Sequence, residues 1–262
     1  MTTALVTGAS AGLGAEFCRQ LAARGTDLVL VARDEAALRA LADELSARHG
    51  VRAEVLPADL ADRAALQRVA DRVGGDGPTG GVGPVDLLVN NAGFGISRSF
   101  LSADVSEEER ALDVMCRAVL VLSHAAGRAM RLRRRGGIVN VSSVAGFVAM
   151  GSYSAIKAWV TTFSEGLAID LAPHGVVVTA VCPGFTHTQF HERAAMNMSR
   201  LPEAAWLDAS EVVATALADA ARGRSVSVPG WQYKTLVAAL QVIPRGVVSR
   251  ISSEIAGRRR TR

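Results

Sequence analysis

The sequence predicts a single doubly wound α/β domain built on a parallel sheet of about seven strands. Two observations predict it. Short runs of Val, Leu and Ile alternate with helix-length segments through most of the chain. Those runs also lack polar alternation, the pattern of strands buried on both faces. Strands that alternate with helices form right-handed crossovers, so helices cover both sides of the sheet.

The elements follow in order. Residues 4–7 form the first strand, and a helical pattern runs through 12–24. The strand 27–32 (DLVLVA) precedes a helix at 35–48, and the strand 52–57 precedes a helix at 62–73. The glycine- and proline-rich stretch 74–84, GGDGPTGGVGP, predicts a flexible surface loop inserted before the fourth strand, 85–90. The strand–helix rhythm resumes at once, so no domain boundary is expected there. A long helix through about 106–134 leads to the strand 137–141, and another at about 152–172 leads to 176–182. The domain is expected to span 1–230, with 231–262 a helical extension ending in a basic tail. In that extension Leu236, Leu240 and Ile243 form one apolar face. Beyond Pro244, Val247, Ile251 and Ile255 form another. Packing on the body or on a second subunit is expected, with peripheral contact to a membrane surface as the alternative.

The chain has 262 residues and is 49% hydrophobic and 21% charged, which supports a large core and excludes global disorder. Its net charge is +4, but Arg258, Arg259, Arg260 and Arg262 supply four positives, so the body is neutral and nucleic acid is not an expected partner. Cys18, Cys116 and Cys182 lie far apart, which suits a reducing compartment and speaks against a disulfide framework or a cysteine zinc site. The N-terminus lacks the pattern of a signal peptide. Residues 136–156 carry no charge, yet Gly136, Gly137, Gly146 and Gly151 break them into strand, loop and helix start rather than a membrane span. A cytoplasmic location is expected.

Residues 7–14 read Thr-Gly-Ala-Ser-Ala-Gly-Leu-Gly, between the first strand and a helix. Gly8 permits a tight turn, and Gly12 and Gly14 let backbone approach a pyrophosphate. Ser10, Ala11 and Leu13 complete the loop, whose helix end offers free N–H groups and a positive dipole to phosphate. This is the pattern of a Rossmann-type dinucleotide site. Arg33 ends the second strand where an acid would hold a ribose 2′-hydroxyl; a guanidinium there suits a 2′-phosphate, so NADP is expected and NAD is the alternative.

Tyr153 and Lys157 are one each of only two tyrosines and two lysines, and they stand four apart at the start of a helix. That spacing puts both on one face, where an ammonium lowers a phenol's pKa toward the working range of an acid/base. Ser142 and Ser143 end a buried strand ten residues earlier. TGxxxGxG at 7–14, NNAG at 90–93, SS at 142–143, YxxxK at 153–157 and PGxxxT at 183–188 occur in order. Together they resemble the short-chain dehydrogenase/reductase superfamily over about residues 3–190. The resemblance implies Tyr153 as acid/base, Lys157 as its partner and nicotinamide-ribose ligand, and Ser143 as holder of the carbonyl. It implies Asp59 and Leu60 beside the adenine, and Asn91, Ala92 and Gly93 along the adenosine side. Thr186 and Thr188, after the Pro183-Gly184 turn, would meet the carboxamide or phosphates.

Two departures stand out. Met115 falls where the family carries an asparagine that holds a relay water, and a thioether lacks an amide's donor and acceptor. The Ser143–Tyr153 interval is about three residues shorter than usual. Phe94, Phe147, Met150, Phe185, Phe190, Met196 and Met198 fall in segments that the family folds around substrate, which suits an apolar pocket. His187 and His191 are four apart, but no third ligand is near, so no metal is expected. The run RLRRR at 131–135 reads as a solvated helix end. The expected activity is NADP(H)-dependent transfer of hydride between nicotinamide and an apolar ketone or secondary alcohol, in a homodimer or homotetramer. A cofactor-binding sensor that has lost turnover, prompted by Met115, is the alternative.

Overall fold

The apolar runs form one seven-stranded parallel sheet in the order β3-β2-β1-β4-β5-β6-β7. The computed structural model describes residues 2–75, 77, 81–96, 100–188 and 202–242, without the side chains of 241 and 242. The strands are β1 (Thr3–Thr7), β2 (Asp27–Ala32), β3 (Ala53–Pro57), β4 (Leu87–Asn90), β5 (Gly136–Val141), β6 (Val176–Val181) and β7 (Val226–Ser227). The helices are α1 (Gly12–Ala22), α2 (Glu35–His49), α3 (Arg63–Gly74), α4 (Val105–Leu112), α5 (Ala118–Arg133), α6 (Gly151–Leu171), α7 (Ala209–Ala221) and α8 (Trp231–Val242). Winding proceeds outward from β1 through β3, then restarts at β4 on the other side. The C-terminal ends of β1 and β4 therefore flank the crevice where open α/β sheets bind ligands.

Alternate strand residues feed two cores. Ala4, Val6, Leu28 and Leu30 pack with Phe17 and Leu21 of α1, Leu38 and Leu45 of α2 and Val213 of α7. Leu5, Val29 and Val31 face the other way, onto Leu66 and Val69 of α3 and Leu122 and Met130 of α5. All of these side chains are buried, so the unbroken apolar runs carry their expected meaning.

One polar chain crosses the second core. Asn90 Nδ2 donates to Ser123 Oγ of α5 at 3.1 Å and to Asn140 Oδ1 of β5 at 2.9 Å. Asn140 Nδ2 then donates to Ser164 Oγ of α6 at 2.9 Å, and that hydroxyl donates to the Val160 carbonyl at 2.6 Å. Buried polar groups are tolerated when bonded in this way, and here they fix the two helices to the two central strands.

Several expectations change. The long helix at 106–134 is divided by a π-helical turn, Asp113–Arg117, which contains the buried Met115. The RLRRR run is not simply solvated. Arg133 donates to the Val85 carbonyl at 2.6 Å, Arg134 ends α5 in the left-handed region, and Arg135 lies 3.7 Å from Asp86. The end of the 74–84 loop is anchored, with Val82 buried and Arg72 donating to the Val82 and Gly83 carbonyls. In α8, Tyr233 and Val237 face the body while Leu236 is 46% exposed, so the predicted Leu236 face points outward. The inward side is the one that carries Tyr233, whose ring packs on Gly184. Ile243, Val247, Ile251, Ile255 and the terminal arginines lie outside the described residues. Residues 136–156 form β5, a short 3-10 turn (Val144–Phe147) and the start of α6, and no helix among the described residues is long and apolar enough to cross a membrane.

Replacing Asn140 with leucine, of similar branching, removes one of the two partners of Asn90, which keeps Ser123, and of Ser164, which keeps the Val160 carbonyl. The expected cost is about 1–3 kcal/mol for the Asn90 N–H left unpaired, read as a drop in Tm of roughly 2–4 °C per kcal/mol. An unchanged Tm would mean that the chain contributes nothing to stability.

Candidate active site

The loop after β1 has the geometry that its glycines predict. Gly8 and Gly12 adopt φ +66° and +54°, where L side chains are strained. A Cβ on Gly14 would overlap the Gly8 carbonyl, and one on Gly8 would lie 2.8 Å from Asn91 Nδ2. Ala11 stands at the N-cap of α1 in extended conformation and supplies no side-chain bond, so the first N–H groups of that helix keep their capacity for an anion. A cradle that side chains would fill, ending in uncapped helix N–H groups, fits a dinucleotide pyrophosphate.

The cradle is tied to the next strand. Thr7 Oγ1 accepts from the N–H groups of Asn91 and Ala92, each at 3.0 Å, and Asn91 Nδ2 donates to the Thr7 carbonyl at 2.9 Å. The Asn91 side chain therefore supports the glycine loop from behind. Thr188 brings its side chain to Gly12, whose Cβ would lie 3.4 Å from Thr188 Cβ. Thr186 is buried and spends its hydroxyl on the Gly184 carbonyl at 3.0 Å. Pro183 accepts from Val144 N–H at 3.0 Å, which joins that turn to the serine loop.

At the other end of the crevice the structure brings Ser143, Tyr153 and Lys157 together. Ser143 caps the 3-10 turn by accepting from Ala145 N–H at 3.1 Å, and it also hydrogen-bonds the Tyr153 side chain. Gly146 lies against α6, where a Cβ would sit 2.9 Å from the Ala158 nitrogen, so only glycine lets the shortened loop close on the helix. Ser142 donates to the Lys157 carbonyl at 2.7 Å and pins the same turn of α6 to β5.

Lys157 Nζ donates to the Val141 carbonyl at 2.9 Å and lies 5.7 Å from the centroid of the Tyr153 ring. This corrects the expected electrostatics. The ammonium is aimed at the end of β5, and desolvation pushes the Tyr153 phenol up from its ordinary value, only partly opposed by its bond to Ser143. Burial likewise lowers Lys157 to about 8, against the charges of Cys182 and Cys116, which raise it. The pair as it stands is a neutral phenol beside a cation that titrates near the working range. Met115, buried in the π-turn, closes on the same point: a Cβ on Gly93 would lie 3.1 Å from Met115 Sδ and 3.8 Å from Lys157 Nζ.

Arg33 is exposed at the end of β2, and Leu60 is buried beside Asp59 after β3. Ser10 is half-buried in the loop. Phe94 and Ile96 pack with Tyr153 and Ile156, Phe147 is half-buried, and Met150 is 38% exposed at the mouth of α6. Phe185 packs near Trp206, with ring centroids 6.0 Å apart. His187 stacks on Trp206 at 4.7 Å and meets Glu203 at 3.1 Å. Phe190, His191, Met196 and Met198 lie outside the described residues. Among the described residues no group of three or more His, Cys, Asp or Glu could hold a metal. Sequence reading missed the parts played by Thr7, Gly146 and Tyr233, and by Arg110 of α4, which donates from Nη2 to Asp59 Oδ2 at 2.7 Å. Tyr233 accepts from Phe185 N–H at 3.1 Å and donates to the Ala205 carbonyl at 2.6 Å, so the second tyrosine is a brace for the turn after Gly184.

A family model described as short chain dehydrogenase matches residues 2–198. The 3-oxoacyl-(acyl-carrier-protein) reductase FabG of Escherichia coli (strain K12) is 32% identical over 237 residues, 87% of this chain and 92% of its own. A short-chain dehydrogenase from Sphingobium yanoikuyae, solved in complex with NADPH, superposes with a TM-score of 0.83 at 36% identity, over 92% of this chain and 94% of that one. The bulky-bulky ketone specific alcohol dehydrogenase from Comamonas testosteroni gives 0.79 at 33% identity, over 92% of each chain.

The lowered Lys157 value sets a pH dependence. Below about 8 the side chain is charged, and above it the charge beside Tyr153 is lost. The kcat/KM for carbonyl reduction is expected to fall as pH rises through about 8. A profile that stays flat from neutrality well past that value would contradict this electrostatic assignment.

Proposed function

The chain belongs to the short-chain dehydrogenase/reductase superfamily and is an NAD(P)-dependent oxidoreductase acting on carbonyl or alcohol groups, and from that premise we propose that it is an NADPH-dependent reductase of apolar ketones. The observation that carries the reading is the half-buried Tyr153 phenol, hydrogen-bonded to Ser143 and beside Lys157, at the far end of a glycine cradle that fits a dinucleotide.

In this reading Gly8, Ser10, Ala11, Gly12, Leu13 and Gly14 hold the pyrophosphate, with Thr188 over the loop. Asp59 and Leu60 border the adenine, Asn91, Ala92 and Gly93 line the adenosine side, and Pro183, Gly184 and Thr186 shape the nicotinamide end. The dinucleotide supplies the hydride that reduces the substrate carbon. Ser143 donates a hydrogen bond to the carbonyl oxygen and orients it toward Tyr153. Tyr153 gives that oxygen its proton as negative charge develops, and Lys157 binds the nicotinamide ribose and keeps positive charge beside the phenol. Phe94, Ile96 and Phe185 favour an apolar substrate, in line with the bulky ketones named for the Comamonas testosteroni enzyme.

Preference for NADPH rests on Arg33 at the end of β2, and the Sphingobium yanoikuyae neighbour was solved in complex with NADPH. A cytoplasmic enzyme is proposed, since Cys18, Cys116 and Cys182 are all free thiols. A homo-oligomer is proposed from the exposed Leu112, Leu120 and Ile169 on α4, α5 and α6.

Titration with NADPH and NADH, followed by absorbance at 340 nm against a panel of aryl and alkyl ketones, tests the reading. Tighter NADPH binding, lost in Arg33→Asp, with turnover of an apolar ketone, is the expected result. Equal affinity for the two cofactors would overturn the assignment of Arg33, and turnover confined to polar substrates would overturn the pocket.

A further inference from the structure

Arg33 and Asp59 leave the sheet side by side. β2 and β3 are parallel neighbours with Ala32 paired to Pro57, and Ala58 N–H donates to the Ala32 carbonyl at 2.9 Å. Opposite charges emerging together normally pair, and a guanidinium grips a carboxylate through two bonds. Yet Arg33 makes no hydrogen bond or ion pair among the described residues, although its charge acts on Asp59.

Its acidic neighbours are all engaged elsewhere. Asp34 caps α2 by accepting from Ala37 N–H at 3.0 Å, and Glu35 accepts from Arg39 Nε at 3.1 Å. Both oxygens of Asp59 are occupied: Oδ1 accepts from Ala61 N–H at 3.0 Å, and Oδ2 accepts from Arg110 Nη2 at 2.7 Å. Desolvation raises the Asp59 carboxyl, but those bonds, with the charges of Arg110 and Arg33, hold it below its ordinary value. Arg110 comes from α4, an element far along the chain. Arg117, in the π-turn, donates to the Ala61 carbonyl at 2.7 Å, so the same side of the molecule grips both ends of the Asp59–Ala61 turn.

We propose that Arg110 is a specificity-determining residue for the cofactor: by holding Asp59 it neutralises a carboxylate beside Arg33 and leaves that guanidinium for the 2′-phosphate of NADPH. The proposal rests on the reading of Arg33 given above. Without Arg110 the Asp59 carboxylate turns to Arg33, and its charge repels a dianionic phosphate. NADH has no phosphate there and escapes both effects. Loss of Arg110 is therefore selective against NADPH, and loss of the Asp59 charge relieves it.

The test is the ratio of kcat/KM for NADPH to that for NADH in wild type, Arg33→Gln, Arg110→Gln, Asp59→Asn and the Arg110→Gln/Asp59→Asn double variant. Taking the ratio within one preparation cancels any loss of folded protein. Arg110→Gln is expected to lower the ratio by roughly tenfold, the effect of one charge-assisted contact, and the double variant to return it toward wild type. Equal losses for both cofactors, or a double variant no better than the single, would show that Arg110 only braces the turn and would overturn the proposal. A wild-type ratio that Arg33→Gln leaves unchanged would instead remove the reading of Arg33 beneath it.

Discussion

The site depends on the splice between β1 and β4, where the winding of the sheet changes direction. Diverging connections open a crevice there, and the backbone that turns away from each strand would be left short of partners. Thr7 closes that gap with one hydroxyl that accepts from two successive N–H groups, Asn91 and Ala92. Asn91 returns the contact through its amide to the Thr7 carbonyl. The glycine loop is thus held at the rim by side chains that need not touch a ligand. Gly8 and Gly14 approach so closely that any side chain would collide with backbone or with Asn91.

On the far side of the crevice the constraint is the seating of α6. Ser142 and Gly146 press the first turns of that helix onto β5 and the 3-10 turn, which fixes Tyr153 and Lys157 relative to Ser143. Desolvation then decides the protonation states. It favours the phenol form of Tyr153 and weakens the hold of Lys157 on its proton, so the pair rests as a phenol beside a cation that titrates near 8. Met115 and Lys157 both border Gly93, so the buried thioether lies on the same side of the crevice as the ammonium.

Much of this was legible in the sequence, for identifiable reasons. Strands such as Asp27–Ala32 sit in the middle of a covered sheet, so their composition is unmixed and their limits sharp. The cradle was legible because positive φ at Gly8 and Gly12 restricts the residue type. What escaped depends on tertiary direction. Spacing put Tyr153 and Lys157 on one face, but only the fold shows the ammonium turned to the Val141 carbonyl. Hydrophobic periodicity does not register the π-turn at Asp113–Arg117. Nor does it mark Arg110, whose partner Asp59 lies 51 residues away in sequence, or the inward face of α8, which is set by Tyr233 against Gly184.

In the proposed reading, cofactor binding and proton transfer fall mainly to opposite ends of one crevice. The most direct test compares Tyr153→Phe with wild type in two measurements: NADPH affinity by fluorescence, and ketone reduction at 340 nm. The expected result is NADPH affinity within about twofold of wild type and a loss of turnover of at least about a hundredfold, the scale of a removed general acid. Turnover that survives the loss of the phenol would contradict the reading.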